Sequence, residues 1–354
     1  MTNLNKIAYV FALSCSFIFA ACSDDKEHTI DKSNIQQVED FTDPRDNKIY
    51  RCVQIGNQIW MIDNLAYFLE NGAADGCYTW EQPSLDLENF VLGKQEFQKV
   101  YMSVVQDPNH NWQQEVGVPA FTLQMQLNFY LNGTYTQEKF LSNMSYYKAF
   151  YDVLIERMEQ FKEEYIPTLA VKEHDEYEKL NGNYSQTYGY LYSLKGARKA
   201  VPEGWRLPTD KDWQQLEITL GMPAHELEAM DAWRGEGCGN FLKIGGEALF
   251  EAKMAGCNAY SGSGVQWIRL QESAYFWTDE ERTIEQNVGS SSGSGSSDSE
   301  TETGKGDDSS LQVVSEGVIR QLSLYSSKIW RGTTRLNNST RDVVYSVRCV
   351  KDAQ

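Results

Sequence analysis

Histidine and proline are scarce in this chain, four and eight among 354 residues, and basic side chains are outnumbered, with Lys+Arg 32 against Asp+Glu 50. The formal net charge of −18 excludes a nucleic-acid role, because phosphate backbones demand basic patches. His28, His110, His174 and His225 lie scattered, and no CxxC or Cys/His cluster has metal spacing, which speaks against a zinc site. A nucleophile elbow, a phosphate loop and a Ser/His/Asp order are all missing. No cofactor is therefore expected. What is plentiful is aromatic: 20 Tyr and 9 Trp. Such a chain is not generally disordered, and it points to a packed, aromatic-rich β domain.

The N-terminus carries Lys6 and then an apolar stretch from Ile7 to Ala20. That stretch is too short for a comfortable membrane span and ends in small residues, so residues 1–21 read as a cleaved secretory leader. Phe19-Ala20-Ala21-Cys22 resembles a bacterial lipobox, which implies acylation of Cys22 and attachment to a lipid bilayer. Asp24-Asp25 follows and resembles the surface-export signal of Bacteroidetes-type lipoproteins. The implied place is the outer membrane, facing the cell surface, with a periplasm-facing orientation as the alternative. Residues 22–43 are polar and charged, and read as a flexible acidic tether.

Folded texture begins at Lys48. Strand-forming residues flank Gly56-Asn57, a hairpin turn pair. In the stretch 81–184 the texture turns helical. Tyr147, Phe150, Tyr151, Leu154, Met158, Phe161 and Tyr165 recur at spacings of three and four, an amphipathic helix that Pro167 should end. Residues 95–105 and 122–131 are weaker helical candidates. Thr209 and Asp212 form a variant capping box ahead of Trp213, Leu216 and Leu220, with Gly221 as the stop. Capping explains Asp210 and Asp212 more economically than a catalytic carboxylate pair does. Residues 287–310 are Ser-, Gly- and acid-rich, and read as a disordered loop.

Several stretches, taken in order, resemble one family. They are Ile55-Gly56-Asn57-Gln58-Ile59-Trp60-Met61 through Leu65; Cys77-Tyr78-Thr79-Trp80; Tyr188-Gly189-Tyr190-Leu191-Tyr192; Pro202-Glu203-Gly204-Trp205 through Asp210 with Trp213; Tyr275-Phe276-Trp277-Thr278; and Ser346-Val347-Arg348-Cys349-Val350. Together they resemble the Fibrobacter succinogenes major paralogous domain, here spanning 44–352 with a helical insertion at 81–184. The motifs are distantly similar to C-type-lectin-like domains and to formylglycine-generating enzymes. The resemblance implies an α+β fold: a compact C-type-lectin-like domain with paired terminal strands, interrupted by a mainly helical insertion.

The family often has a cysteine where this chain has Val201, so Cys349 must pair elsewhere or stay free. Cys52 is its candidate partner, if the opening and closing strands lie side by side. Cys238 and Cys257 are a second candidate pair, which leaves Cys77 over. Neither the lectin calcium motifs nor the redox cysteines of the sulfatase-activating enzymes carry over. Asp107-Pro108-Asn109 is only superficially lectin-like.

Three functions remain in view. The first is a lipid-anchored, non-catalytic module for glycan or surface protein, with Trp233, Trp267 and Trp330 as candidate ligand-facing aromatics, although core packing is the commoner fate of such rings. The second is a structural part of a surface assembly that docks through the helical insertion. The third, and weakest, is an enzyme. Glu272, Asp279 and Glu280 qualify as glycosidase acids only if two of them face one cleft at roughly 5–10 Å.

Overall fold

The computed structural model describes residues 29–83, 90–261, 264–287, 311–336 and 343–353. The leader, Cys22 and all but the first residue of the Ser/Gly-rich loop lie outside the described residues. The fold is mixed α+β, with antiparallel sheets around a helical middle.

The chain enters the fold earlier than its composition suggests. Strand β1 (Ile35–Thr42) lies inside the segment read as a tether and pairs antiparallel with β2 (Ile49–Ile55). Its apolar residues are sparse, but they are anchored: Ile35, Val38 and Phe41 pack against the cores, and Phe41 lies 5.3 Å from the Trp205 ring. A two-residue turn at Gly56-Asn57 joins β2 to β3 (Gln58–Met61), and Gly56 takes the positive φ of 60° that such a hairpin asks of a glycine. The closing strand β12 (Val350–Asp352) pairs with β3, so the sheet order is β1-β2-β3-β12.

A short ladder joins β4 (Cys77–Tyr78) to β5 (Leu191–Tyr192). Between them lies a helical module: α1 (Lys94–Val105), α2 (Trp112–Glu115), α3 (Ala120–Leu131), α4 (Gln137–Met144) and α5 (Lys148–Leu180). Phe97, Tyr101, Leu123, Leu127, Phe140, Phe150 and Leu154 form its own core. The helix α5 does not stop at Pro167; the proline sits inside it. Tertiary contacts outweigh the missing N–H. Beyond Pro167, Ala170 is fully buried, His174 lies 4.3 Å from the Phe68 ring, and the Glu178 carboxylate accepts from Thr79 and Ser185. The second half of α5 thus seats the helical module on the β scaffold.

After α6 (Tyr184–Tyr188) and α7 (Leu194–Ala200) comes α8 (Asp210–Thr219), whose capping box is formed as the sequence predicts. Trp213, Leu216 and Leu220 are fully buried, and Gly221 turns at φ 85°. The second sheet runs β6-β11-β10-β9 and is built from β6 (Ala232–Arg234), β9 (Ser273–Asn287), β10 (Leu311–Ser323) and β11 (Ile329–Arg335). Helix α9 (Cys238–Leu242) and the hairpin of β7 (Cys257–Ser261) and β8 (Gly264–Ile268) complete the scaffold.

The two larger sheets separate two cores. Val53, Ile55 and Trp60 meet Trp213, Phe276 and Leu322 on the α8 side, while Tyr50, Cys52 and Met61 meet Trp277, Ile319 and Val347 on the other. Arg348 is fully buried, its guanidinium over the Phe250 and Phe276 rings of the first core. Burial works against its charge, and the Asn64 side chain and the carbonyls of Met61, Phe250 and Glu251 offset that cost at 2.6–3.1 Å.

Neither candidate disulfide is present: Cys52, Cys77, Cys238, Cys257 and Cys349 are all buried thiols. The obstacle for Cys52 and Cys349 is Met61. Cys52 pairs with Met61 on one side of β3, and the Cys349 carbonyl accepts from the Met61 N–H at 3.0 Å on the other. Two strand spacings of about 4.8 Å separate the cysteine backbones, against the roughly 4.4–6.8 Å that a disulfide spans. Cys238 and Cys257 belong to different cores. Among the described residues no helix is long and apolar enough to cross a membrane.

Candidate functional site

Strand register decides which of the three candidate tryptophans meet. Trp330 of β11 is the direct partner of Trp233 of β6, and their rings stand 5.8 Å apart at 62°. Gln321 of β10 is in turn opposite Trp330, and Tyr275 of β9 is opposite Gln321. Side chains alternate between the faces of a sheet, so these four share one face. They form a row that starts in the second core at Tyr275 and reaches the surface at two half-buried tryptophans. Trp267 is elsewhere, on β8, edge-on to Trp80 at 5.2 Å.

Polar groups line this row. The Gln321 amide donates to the Tyr275 hydroxyl at 3.1 Å and to Ser273 Oγ at 3.4 Å. Tyr275 stacks on Tyr345, whose hydroxyl bonds Thr334 Oγ1 at 3.1 Å. Gly332, two residues past Trp330, explains how the indole lies. A Cβ there would fall 2.4 Å from Trp330 Nε1 and 2.8 Å from Asp231 Oδ1. The ring and a carboxylate therefore crowd over bare backbone. Asp231 is exposed, holds a left-handed φ of 53°, and accepts from the Thr333 N–H.

The opposite face of the same strands is braced by buried charge. Each tryptophan of the pair is followed by a buried arginine, Arg234 and Arg331. Arg331 bonds both carboxylate oxygens of Asp210, at 3.0 and 2.5 Å. Arg234 holds Glu217 at 2.7 and 3.0 Å, and Arg320 reaches both acids at 2.7 and 2.8 Å. Burial works to raise the Asp210 pKa, but Arg331 and Arg320 win and hold it at about 2. This network clamps the first two turns of α8 behind β6, β11 and β10, so the aromatic row stands on a rigid base.

The acids weighed for glycosidase chemistry are not brought together. Glu272 lies in the turn before β9 and Asp279 inside the strand, seven residues further on, and each is engaged by a different arginine. Arg269 engages Glu272, and Arg198 engages Asp279 at 2.7 Å. Asp279 and Glu280 fall where β9 bulges out of register with β10, between Trp277 and Glu281. A cleft in the helical module does hold Glu115 and Asp152. However, His110 draws Glu115 below its ordinary value, the reverse of what a general acid needs, and Lys148 holds Asp152 at 2.7 Å. Asp107 of the lectin-like triplet closes a local turn and binds Arg157. Among the described residues no three His, Cys, Asp or Glu side chains gather as metal ligands.

Sequence reasoning missed Gln321, Asp231, Gly332 and the buried arginines. The repeated Trp-Arg pair, Trp233-Arg234 and Trp330-Arg331, was the available signal: an arginine alternating with a large aromatic on a strand.

The family model of the Fibrobacter succinogenes major domain matches residues 142–351. That span takes in the end of α4, all of α5 and the scaffold as far as β12, so it reaches into the segment read as an insertion. No curated protein and no solved structure matches the chain.

Proposed function

This chain belongs to the Fibrobacter succinogenes major domain family, and from that premise we propose that it is a lipid-anchored, non-catalytic surface module that binds glycan through the Trp233–Trp330 face. The observation that carries the reading is the pairing itself. Two large rings on adjacent strands emerge half-buried beside an amide and a carboxylate. Indole faces accept the apolar faces of sugar rings, while Gln321 and Asp231 are of the type that hydrogen-bonds sugar hydroxyls. A rigid scaffold behind the rings lowers the ordering cost of binding. The scattered and ion-paired acids favour binding over hydrolysis.

Anchoring through acylated Cys22 would hold this face at the outer surface of the outer membrane. Two experiments test the proposal. A glycan array probed with the full chain should give hits that persist unaltered, with no released sugar. Turnover of a bound glycan would replace the module with an enzyme. Separately, Cys22→Ala should release the chain from membranes or leave an uncleaved precursor, and unchanged membrane partitioning would refute the anchor.

A further inference from the structure

The two indoles of the Trp233–Trp330 face do not lie flat. Their planes meet at 62°, the edge of one turned to the other. Such a corner takes one sugar ring on an indole face and offers no platform to the next. The row is also closed at one end. Beyond Trp330 it passes Gln321 and stops at Tyr275, on which Tyr345 stacks. A glycan can therefore leave the corner on one side only. The polar groups are equally restrictive. The Gln321 amide donates to Tyr275 and Ser273, which leaves its carbonyl oxygen to accept. The Trp330 indole N–H donates to no group among the described residues. Trp330 Nε1 and Asp231 Oδ1 lie 2.4 and 2.8 Å from the point that a Gly332 Cβ would occupy. A donor and an acceptor thus stand side by side over bare backbone.

Resting on the glycan reading above, we infer that this face selects a single neutral sugar at the end of a chain, and reads it through one hydroxyl held between Trp330 Nε1 and Asp231. A hydroxyl both accepts and donates at one atom. Placed between the two groups, it accepts from the indole and donates to the carboxylate, each at an ordinary length of about 2.8–2.9 Å. A sugar carboxylate or sulfate has no proton to give. It would also set its charge against Asp231, on a chain of net charge −18. Acidic glycans are therefore refused. Gln321, across Trp330 from β6, accepts from a second hydroxyl of the same ring.

The test is titration calorimetry on the full chain in a neutral detergent. The probes are neutral gluco-, manno- and galacto-oligosaccharides of one to six residues, with oligogalacturonates as acidic counterparts. In a neutral series that binds, affinity should stay within about threefold from two residues to six, and the acidic series should bind at least about tenfold more weakly. Asp231→Asn keeps the left-handed backbone, which asparagine tolerates. It should weaken neutral binding about tenfold, the loss expected of a hydrogen bond to a charged group, and narrow the gap to the acidic series. Trp330→Phe keeps a stacking ring without the N–H, and should weaken binding several-fold. Affinity that climbs steadily with chain length overturns the inference. So do acidic ligands bound at least as tightly as neutral ones, or unchanged affinity in Asp231→Asn. The glycan reading survives those results as long as the Trp233→Ala, Trp330→Ala double variant abolishes binding. Failure of every series to bind, neutral and acidic, overturns both.

Discussion

Trp233 and Trp330 face each other across β6 and β11 with ring centres 5.8 Å apart, and each is followed in sequence by an arginine buried on the other face of its strand. One strand pairing thus builds both a half-buried aromatic face and its support. Gly332 is the permissive residue. Gly332→Ala should force the Trp330 indole off the strand, since the added Cβ would fall 2.4 Å from Nε1. The expected result is an altered Trp exciton couplet in circular dichroism and several-fold weaker glycan binding, in a chain that still unfolds cooperatively.

The Asp210 network predicts a pH dependence. Asp210 ionises at about 2 in the fold against a usual value of 3.8. As pH falls, the unfolded chain therefore takes up this proton first. The stabilisation is complete above about pH 5 and is lost as pH falls from about 4 towards 2, an effect of about 2 kcal/mol. Asp210→Asn should remove most of that dependence. It should also cost about 3–5 kcal/mol at neutral pH, because buried Arg331 loses its carboxylate partner and Arg320 keeps only Glu217. Urea denaturation across pH checks both.

How much of this was legible in the sequence depended on how local each signal was. The hairpin at Gly56, the capping box of Thr209 and Asp212, and the buried stripe of α5 are written within a few residues, and all three form. The pairing of Trp233 with Trp330 joins residues far apart in sequence, and only register between strands reveals it. β1 was missed because its apolar residues are diluted by polar ones. The path of α5 through Pro167 was misread because contacts to Phe68, Gly72 and Thr79, remote in sequence, hold the second half.

Pro167 supplies its own prediction. A proline within a helix removes the bond to the carbonyl four residues back, that of Glu163. Pro167→Ala should restore it and stabilise the helical module by about 1–3 kcal/mol, seen as a higher urea midpoint. A lower midpoint would mean that the docking of α5 depends on the bend a proline imposes.

The cysteines should behave as inert core residues. Burial pushes the Cys52 thiol up to about 11 and those of Cys77, Cys238 and Cys257 to about 12. At pH 8 a disulfide-exchange reagent should leave Cys52, Cys77, Cys238, Cys257 and Cys349 unmodified in the folded chain, and should titrate all five after denaturation. Recovery of only three would mean that one pair is joined after all.

The central claim is that the Trp233–Trp330 face binds glycan without turning it over. Its most direct measurement is isothermal titration of the best array ligand into the full chain and into Trp233→Ala, Trp330→Ala and the double variant. The account predicts at least a tenfold loss of affinity in each single variant, no measurable binding in the double variant, and Tm values within a few degrees of the parent. Unchanged affinity in the double variant, with the fold intact, would contradict it.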